Sequence, residues 1–137
     1  MTNDYEEGDN RLGQIVAFDD KYQWPGGELL SLPKSDLKKA MVKYLTPLMK
    51  EGDSWGASFR SETDFIYLRW GELLLLKAEA ANELGIGGAA DMVNQVRKRA
   101  GLADLATNLT QDQLREKIRH ERRVETPFEV IRYYDMK

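Results

Sequence analysis

The sequence has no cysteine and only one histidine among its 137 residues. Without cysteine the chain can form no disulfide bond, no thiolate metal site and no thiol nucleophile. Long hydrophobic runs are also missing. The four leucines at 73–76 lie between Glu72 and Lys77, whereas a membrane-spanning helix needs about 20 apolar residues. The acidic start, MTNDYEEGDNR, lacks the basic and apolar pattern of a signal peptide.

Neither sign of charge dominates, since 20 basic and 23 acidic residues leave a net charge of −3. No overall field therefore attracts nucleic acid. Hydrophobic residues make up 42% and charged residues 31% of the chain, which is typical of one globular domain.

Residues 64–101 have the apolar spacing of two amphipathic helices joined by a glycine turn. The pattern predicts a first helix over about 65–84, with Asp64 as its N-cap, and a second over about 89–100 that ends at Gly101. Such a helix–turn–helix unit is an antiparallel hairpin. Its first helix is predicted to bury one face, with Trp70 in the core. That face consists of Ile66, Trp70, Leu73, Leu74, Ala78, Ala81 and Leu84.

A third helix is predicted from the capping box of Thr110 and Gln113 to about Glu125, before Pro127 interrupts it. Residues 1–63 are expected to form irregular loops with short strands at most, one of them near 14–18. Residues 41–45 fit either a helix or a strand. The prediction is therefore a mainly α-helical chain, with an irregular region at 1–63 and a helical region at 64–137.

No catalytic site is recognisable. His120 lies among like charges in EKIRHERR, where an exposed or ion-paired histidine is the simpler interpretation. Glu116 and His120 alone cannot form a zinc site. Glu121 and Glu125 share one helix face, whereas a glycosidase needs carboxylates on opposing walls of a cleft. We therefore expect no enzyme activity, no metal and no cofactor.

Charged residues recur among the apolar positions of all three helices. If the third helix packs on the hairpin, Arg97, Arg99 and Glu79 could pair with its Glu121, Arg122 and Glu125. Such a partly buried network adds little stability but fixes which helix faces which. The predicted ion-pair network comprises Arg69, Glu72, Glu79, Arg97, Arg99, Glu121, Arg122 and Glu125. Acidic residues also interleave the basic run at 115–123, which favours a helix with internal salt bridges over a nucleic-acid-binding helix.

Three aromatic residues of the N-terminal half are candidates for ligand binding. Tyr22, Trp24 and Trp55 fall in predicted loops, where a flat ring can stack on the apolar face of a sugar. A single loop tryptophan more often packs against the core, so these assignments rest on loop position alone.

Three segments resemble the C-terminal region of the SusD/RagB family of outer-membrane nutrient-binding lipoproteins. They are YLRWGELLLLKAEAANELG at 67–85, VNQVRKRAGL at 93–102 and IRHERRVETPFEVIRYYDM at 118–136. GDNR at 8–11 is similar to the family's Asp-x-Arg element, and the resemblance makes 41–45 a strand. The chain departs from the family pattern at Thr126, Pro127 and Val130.

The resemblance implies helical pairs of tetratricopeptide type in an outer-membrane protein at the cell surface. It implies a glycan-capturing subunit without catalysis, with a TonB-dependent (SusC-like) transporter and an oligosaccharide or polysaccharide as partners. The family's lipidated cysteine and signal are not in this chain, so we expect a fragment or a short relative. The alternative is a helical protein–protein interaction module that binds no sugar.

Overall fold

Helices dominate the parts of the chain that the structure, a computed structural model, describes: residues 4–18, 21–23, 29–31, 39–41 and 67–129. The mainly α-helical prediction is confirmed. The helices in these ranges are α1 (Arg11–Ile15), α2 (Trp70–Glu83), α3 (Ala89–Arg99) and α4 (Gln111–Glu125). The strands are β1 (Val16–Phe18), β2 (Lys21–Gln23), β3 (Leu29–Ser31) and β4 (Lys39–Met41).

The chain divides into two compact units. Unit 1 combines Met1–Arg11 with Ile66–Lys137, and unit 2 consists of Leu12–Phe65. In unit 2, β1 pairs antiparallel with β4, and Val16 lies opposite Met41. Strand β2 pairs antiparallel with β3, and Lys21 lies opposite Ser31. Each of these strands is three residues long. Among the described residues of the N-terminal part, α1 is a short helix that the sequence did not predict.

The helix ends in unit 1 follow local sequence signals. Both α2 and α3 end in Schellman motifs, in which Gly85 (φ 66°) and Gly101 (φ 82°) adopt the left-handed conformation that favours glycine. The matching backbone bonds run from Ile86 N–H to the Ala81 carbonyl (2.8 Å) and from Leu102 N–H to the Arg97 carbonyl (3.0 Å).

The capping box predicted for the third helix is confirmed. The Thr110 hydroxyl accepts a hydrogen bond from Gln113 N–H (3.2 Å), and the Thr110 N–H donates one to the Gln113 side chain (2.9 Å). Helix α4 ends at Glu125, two residues before Pro127, whose ring cannot continue a helix.

The core of unit 1 lies where α2, α3 and α4 meet. Helix α2 supplies half of its buried residues, and α3 and α4 supply the other half. The core consists of Leu74, Leu75, Ala78, Val93, Val96 and Ile118, with Met92, Leu105 and Leu114 partly buried against it. No helix among the described residues is long and apolar enough to cross a membrane.

The predicted inner face of α2 is wrong at three positions. Trp70, Leu73 and Leu84 are 69%, 43% and 73% exposed. Apolar residues surround this helix, so periodicity did not select one face. Contact with α3 and α4 instead buries the side that carries Leu74 and Leu75.

The predicted start of the first helix is also wrong. Helix α2 begins at Trp70 because Arg69 is extended (φ −131°, ψ 160°) and caps it without a side-chain hydrogen bond. Asp64 and Ile66, the predicted N-cap and first core residue, lie outside the described residues.

Candidate functional site

The most densely charged buried region of unit 1 lies along the C-terminal half of α4. Glu121 and Glu125 are one helical turn apart on the same face, and both are almost completely buried. A buried carboxylate is costly unless it is paired with a cation. The charges and hydrogen bonds of the side chains around these two glutamates therefore determine the chemistry of the region.

Arg11 lies between the two glutamates and is itself buried. Its Nη1 is 2.7 Å from Glu121 Oε1 and 3.0 Å from Glu125 Oε2. Its Nη2 is 2.7 Å from Asp9 Oδ2, and the Arg11 N–H donates to Asp9 Oδ1 (3.0 Å). One guanidinium thus faces three carboxylates. The Glu121 Oε1 contact is ionic, because no N–H of the described residues is aimed at that oxygen.

Glu125 is also the partner of two other arginines. Arg69 and Arg99 each donate to its Oε1, and Arg69 donates to its backbone carbonyl as well. Gly71 makes room for this carboxylate, since a Cβ at that position would lie 2.7 Å from Glu125 Oε1. Burial alone would raise the pKa of Glu125, but the hydrogen bonds and charges of Arg69, Arg11 and Arg99 hold it below its ordinary value.

Arg97 links Glu121 to the N-terminal segment. Its Nη1 is 3.3 Å from Glu121 Oε2, and its guanidinium binds both oxygens of Glu6 at 2.7 and 3.0 Å. The hydrogen bond from Arg97 lowers the pKa of the Glu6 carboxyl. Arg97 Nε also donates to the Ala103 carbonyl (2.8 Å). A bidentate guanidinium–carboxylate pair of this kind is directional as well as charged.

The segment from Asp4 to Arg11 packs along α3 and α4 through further bonds. The Tyr5 hydroxyl donates to the Val124 carbonyl (3.3 Å), and burial raises the pKa of Tyr5 to about 12. The Asn10 N–H donates to the Ala100 carbonyl (3.1 Å). These contacts join the N-terminal segment of unit 1 to α4 and to the C-terminal end of α3.

Ion pairs outside the buried centre are more exposed. Arg122 pairs with Glu79 across α4 and α2, and Arg115 Nε lies 2.5 Å from Glu83 Oε1. The Arg119–Glu116 pair (3.0 Å) connects residues of one helix. Water and salt screen exposed pairs of this type, so they stabilise the fold less than the buried centre does.

The residues of the predicted ion-pair network occupy three settings. Arg69, Arg97, Arg99, Glu121 and Glu125 meet in the buried cluster. Glu79 and Arg122 pair outside the buried centre. Glu72 is buried on α2.

The structure adds Glu6, Asp9, Arg11 and Glu129 to the cluster, none of which was assigned to it from the sequence. The GDNR segment at 8–11 was the available signal, since it holds both Asp9 and Arg11. Among the candidate ligand-binding residues, Tyr22 lies in β2 and pairs with Leu30 of β3, so its predicted loop position is wrong. Its side chain is outside what the structure describes, as are Trp24 and Trp55.

The chemistry of the cluster is that of charge neutralisation. Each of its carboxylates faces a guanidinium, and arginine stays protonated at all ordinary pH values. Such a cluster is suited to joining helices in one arrangement. Within the described ranges, no group of three His, Asp or Glu residues is placed to hold a metal ion.

A shallow cavity of about 410 Å³ lies beside the α2–α3 turn. Small and apolar residues such as Gly87, Ala89 and Leu109 form much of its lining. Two polar residues at its edge satisfy each other: Asn82 Nδ2 donates to the Gln111 carbonyl (3.1 Å), and Gln111 Nε2 donates to the Asn82 carbonyl (2.6 Å). The polar groups best placed to orient a ligand are therefore already engaged.

A helical hairpin, closed by a third helix and held by an internal arginine–carboxylate cluster, defines a mainly α-helical protein with a buried charged centre. The chain belongs to the SusD family, whose model matches residues 2–137. A SusD-like protein from Formosa agariphila is 41% identical over 86 residues, which is 56% of this chain and 17% of that protein. A second SusD-like protein from the same organism is 36% identical over 84 residues, or 55% of this chain and 17% of that protein.

Among solved structures, the chain is similar to a SusD-like protein from Bacteroides fragilis, with a TM-score of 0.71 and 32% sequence identity. That similarity covers 92% of this chain but 27% of the solved chain. The matched part is thus well under a third of the length of each of these relatives.

Proposed function

We propose that this chain is the C-terminal helical part of a glycan-binding component of an outer-membrane nutrient-uptake complex. It acts on the cell-surface side with a TonB-dependent, SusC-like transporter and performs no catalysis. The observation that carries this proposal is the match to the SusD family over residues 2–137. The buried cluster supports a scaffold role, since its carboxylates are paired with arginines and are not poised for acid–base chemistry.

In this proposal the two parts of the chain have different tasks. Unit 1 is the rigid helical scaffold. Tyr22, Trp24 and Trp55 supply aromatic surfaces for an oligosaccharide or polysaccharide, because the apolar C–H face of a sugar ring stacks on a flat aromatic side chain.

The test is a calorimetric titration of the 137-residue chain with a panel of oligosaccharides. We expect saturable binding to at least one of them, weakened by Trp24→Ala and by Trp55→Ala. Trp70→Ala is the matched control, since Trp70 is 69% exposed on α2 and is not among the proposed ligand residues. A flat titration, or equal losses in all three variants, would overturn the glycan assignment.

The second candidate function is a helical protein–protein interaction module without sugar binding. The observation in its favour is the exposed apolar side of α2, which includes Trp70 and Leu73, because exposed apolar patches often mark protein interaction surfaces. Co-purification with a SusC-like transporter, lost in Leu73→Glu and combined with flat oligosaccharide titrations, would favour this function.

A further inference from the structure

Unit 1 consists of two stretches of chain that flank the 12–65 segment, and each stretch carries an arginine of the buried cluster near that segment. Arg11 is the last residue before the Leu12–Phe65 unit, and the chain returns to unit 1 at Ile66, three residues before Arg69. Both arginines bind the same side chain. Arg11 Nη1 lies 3.0 Å from Glu125 Oε2, and Arg69 donates to Glu125 Oε1.

Arg11 and Arg69 each pair with a further carboxylate, and these two carboxylates are different residues. Arg11 pairs with Glu121 at 2.7 Å, and Arg69 pairs with Glu129 at 2.9 Å. Among the described carboxylates that pair with these two arginines, Glu125 alone contacts both. The shared carboxylate is shielded from solvent, because its side chain is 1% exposed.

Joining both ends at one buried group has a physical consequence for the segment between them. Bringing the ends of a long chain segment together costs conformational entropy. Arg11 and Arg69 each contact this carboxylate through one Nη1, while Asp9 orients the rest of the Arg11 guanidinium and Glu129 that of Arg69. A planar guanidinium held by several partners is fixed in direction as well as in distance.

We propose that Glu125 is a positioning residue, whose carboxylate holds Arg11 and Arg69 together and so fixes, within unit 1, the two stretches of chain that flank the 12–65 segment. This role concerns Arg11 and Arg69, which both belong to unit 1. It does not depend on which ligand, if any, the 12–65 segment binds.

The test uses a spin label at each end separately, which the cysteine-free sequence allows. Gly13→Cys reports on the outgoing end, where an added Cβ meets no atom within 4 Å. Leu68→Cys reports on the returning end, where the side chain is 54% exposed. Label mobility is read from the continuous-wave electron paramagnetic resonance spectrum.

Three isosteric substitutions separate the shared carboxylate from its neighbours. Glu125→Gln is expected to shorten the rotational correlation times of both labels about twofold. Glu121→Gln should affect only the label at position 13, because Glu121 pairs with Arg11 and not with Arg69. Glu129→Gln should affect only the label at position 68.

General loss of stability would not give this pattern, because Glu121 and Glu125 are comparably buried on the same helix. The proposal is overturned if Glu125→Gln mobilises neither label or only one of them. It is also overturned if Glu121→Gln mobilises both labels.

Lysine variants provide the same test if Glu125→Gln loses its helical circular dichroism. Lysine keeps the charge, but its single ammonium cannot replace all the directed contacts of the planar guanidinium. Arg11→Lys should therefore mobilise the label at 13, and Arg69→Lys the label at 68. Unchanged mobility in both would contradict the proposal.

Discussion

Leu75 is the position at which the packing of unit 1 can be tested most directly. Its side chain is 0% exposed, within the core shared by α2, α3 and α4. Leu75→Ala removes buried methyl groups and leaves a cavity, which costs about 3–5 kcal/mol at well-packed sites. Leu73 lies two residues away on the same helix and is 43% exposed. Its change to alanine removes the same atoms from a half-hydrated site and should cost about 1 kcal/mol.

Urea denaturation, followed by far-ultraviolet circular dichroism, measures both changes. With an m-value of about 1.5 kcal/mol/M, Leu75→Ala should lower the urea midpoint by about 2 M or more, and Leu73→Ala by less than about 1 M. The m-value itself should stay the same in both variants. Equal shifts, or a larger shift for Leu73→Ala, would refute the reasoning. That result would mean that α2 buries the Trp70–Leu73 side, as its sequence periodicity had predicted.

Three further predictions concern the charges and caps of unit 1. Glu125→Gln leaves buried guanidinium groups without their counter-charge and should destabilise unit 1 by about 3–5 kcal/mol, whereas Glu83→Gln, at an exposed pair, should leave the urea midpoint unchanged. The folded-state pKa values of Glu125 and Glu6 lie below the ordinary value of 4.5. Their stabilisation is therefore complete above pH 4.5 and is lost as the pH falls through the lower folded values. The urea midpoint should drop in acid for the parent and less steeply for Glu125→Gln, and a flat parent profile would contradict this. Thr110→Ala removes the capping box and should cost about 1 kcal/mol by thermal unfolding, whereas Thr110→Ser should cost less. Equal losses from these two changes would argue against the cap.

Features of unit 1 that depend only on residues close together in the sequence could be predicted. The capping box needs only the pair Thr110 and Gln113, and the ends of α2 and α3 need only a glycine at the left-handed position. In each case the stabilising bonds connect residues at most five positions apart. Local pattern and observed structure therefore agree.

The face of α2 could not be predicted because the choice is made by other helices. Leucines at 73–76 place apolar side chains around the whole circumference, so the sequence of α2 fits burial on either side. Val93, Val96 and Ile118, from α3 and α4, cover the Leu75 side. The sequence analysis did not assign Arg11 to the cluster for a similar reason. Its partner Glu125 lies 114 positions away along the chain, so no local pattern connects the two residues.

That separation has a consequence for the order in which the protein is made. Arg11 is synthesised long before the carboxylates of α4, and 114 residues take roughly 6 to 23 s at translation rates of about 5–20 residues per second. Of the three carboxylates that face Arg11 in the folded protein, Asp9 alone is present during this interval. The arginine thus leaves the ribosome beside one of its partners and acquires the other two, Glu121 and Glu125, when α4 emerges.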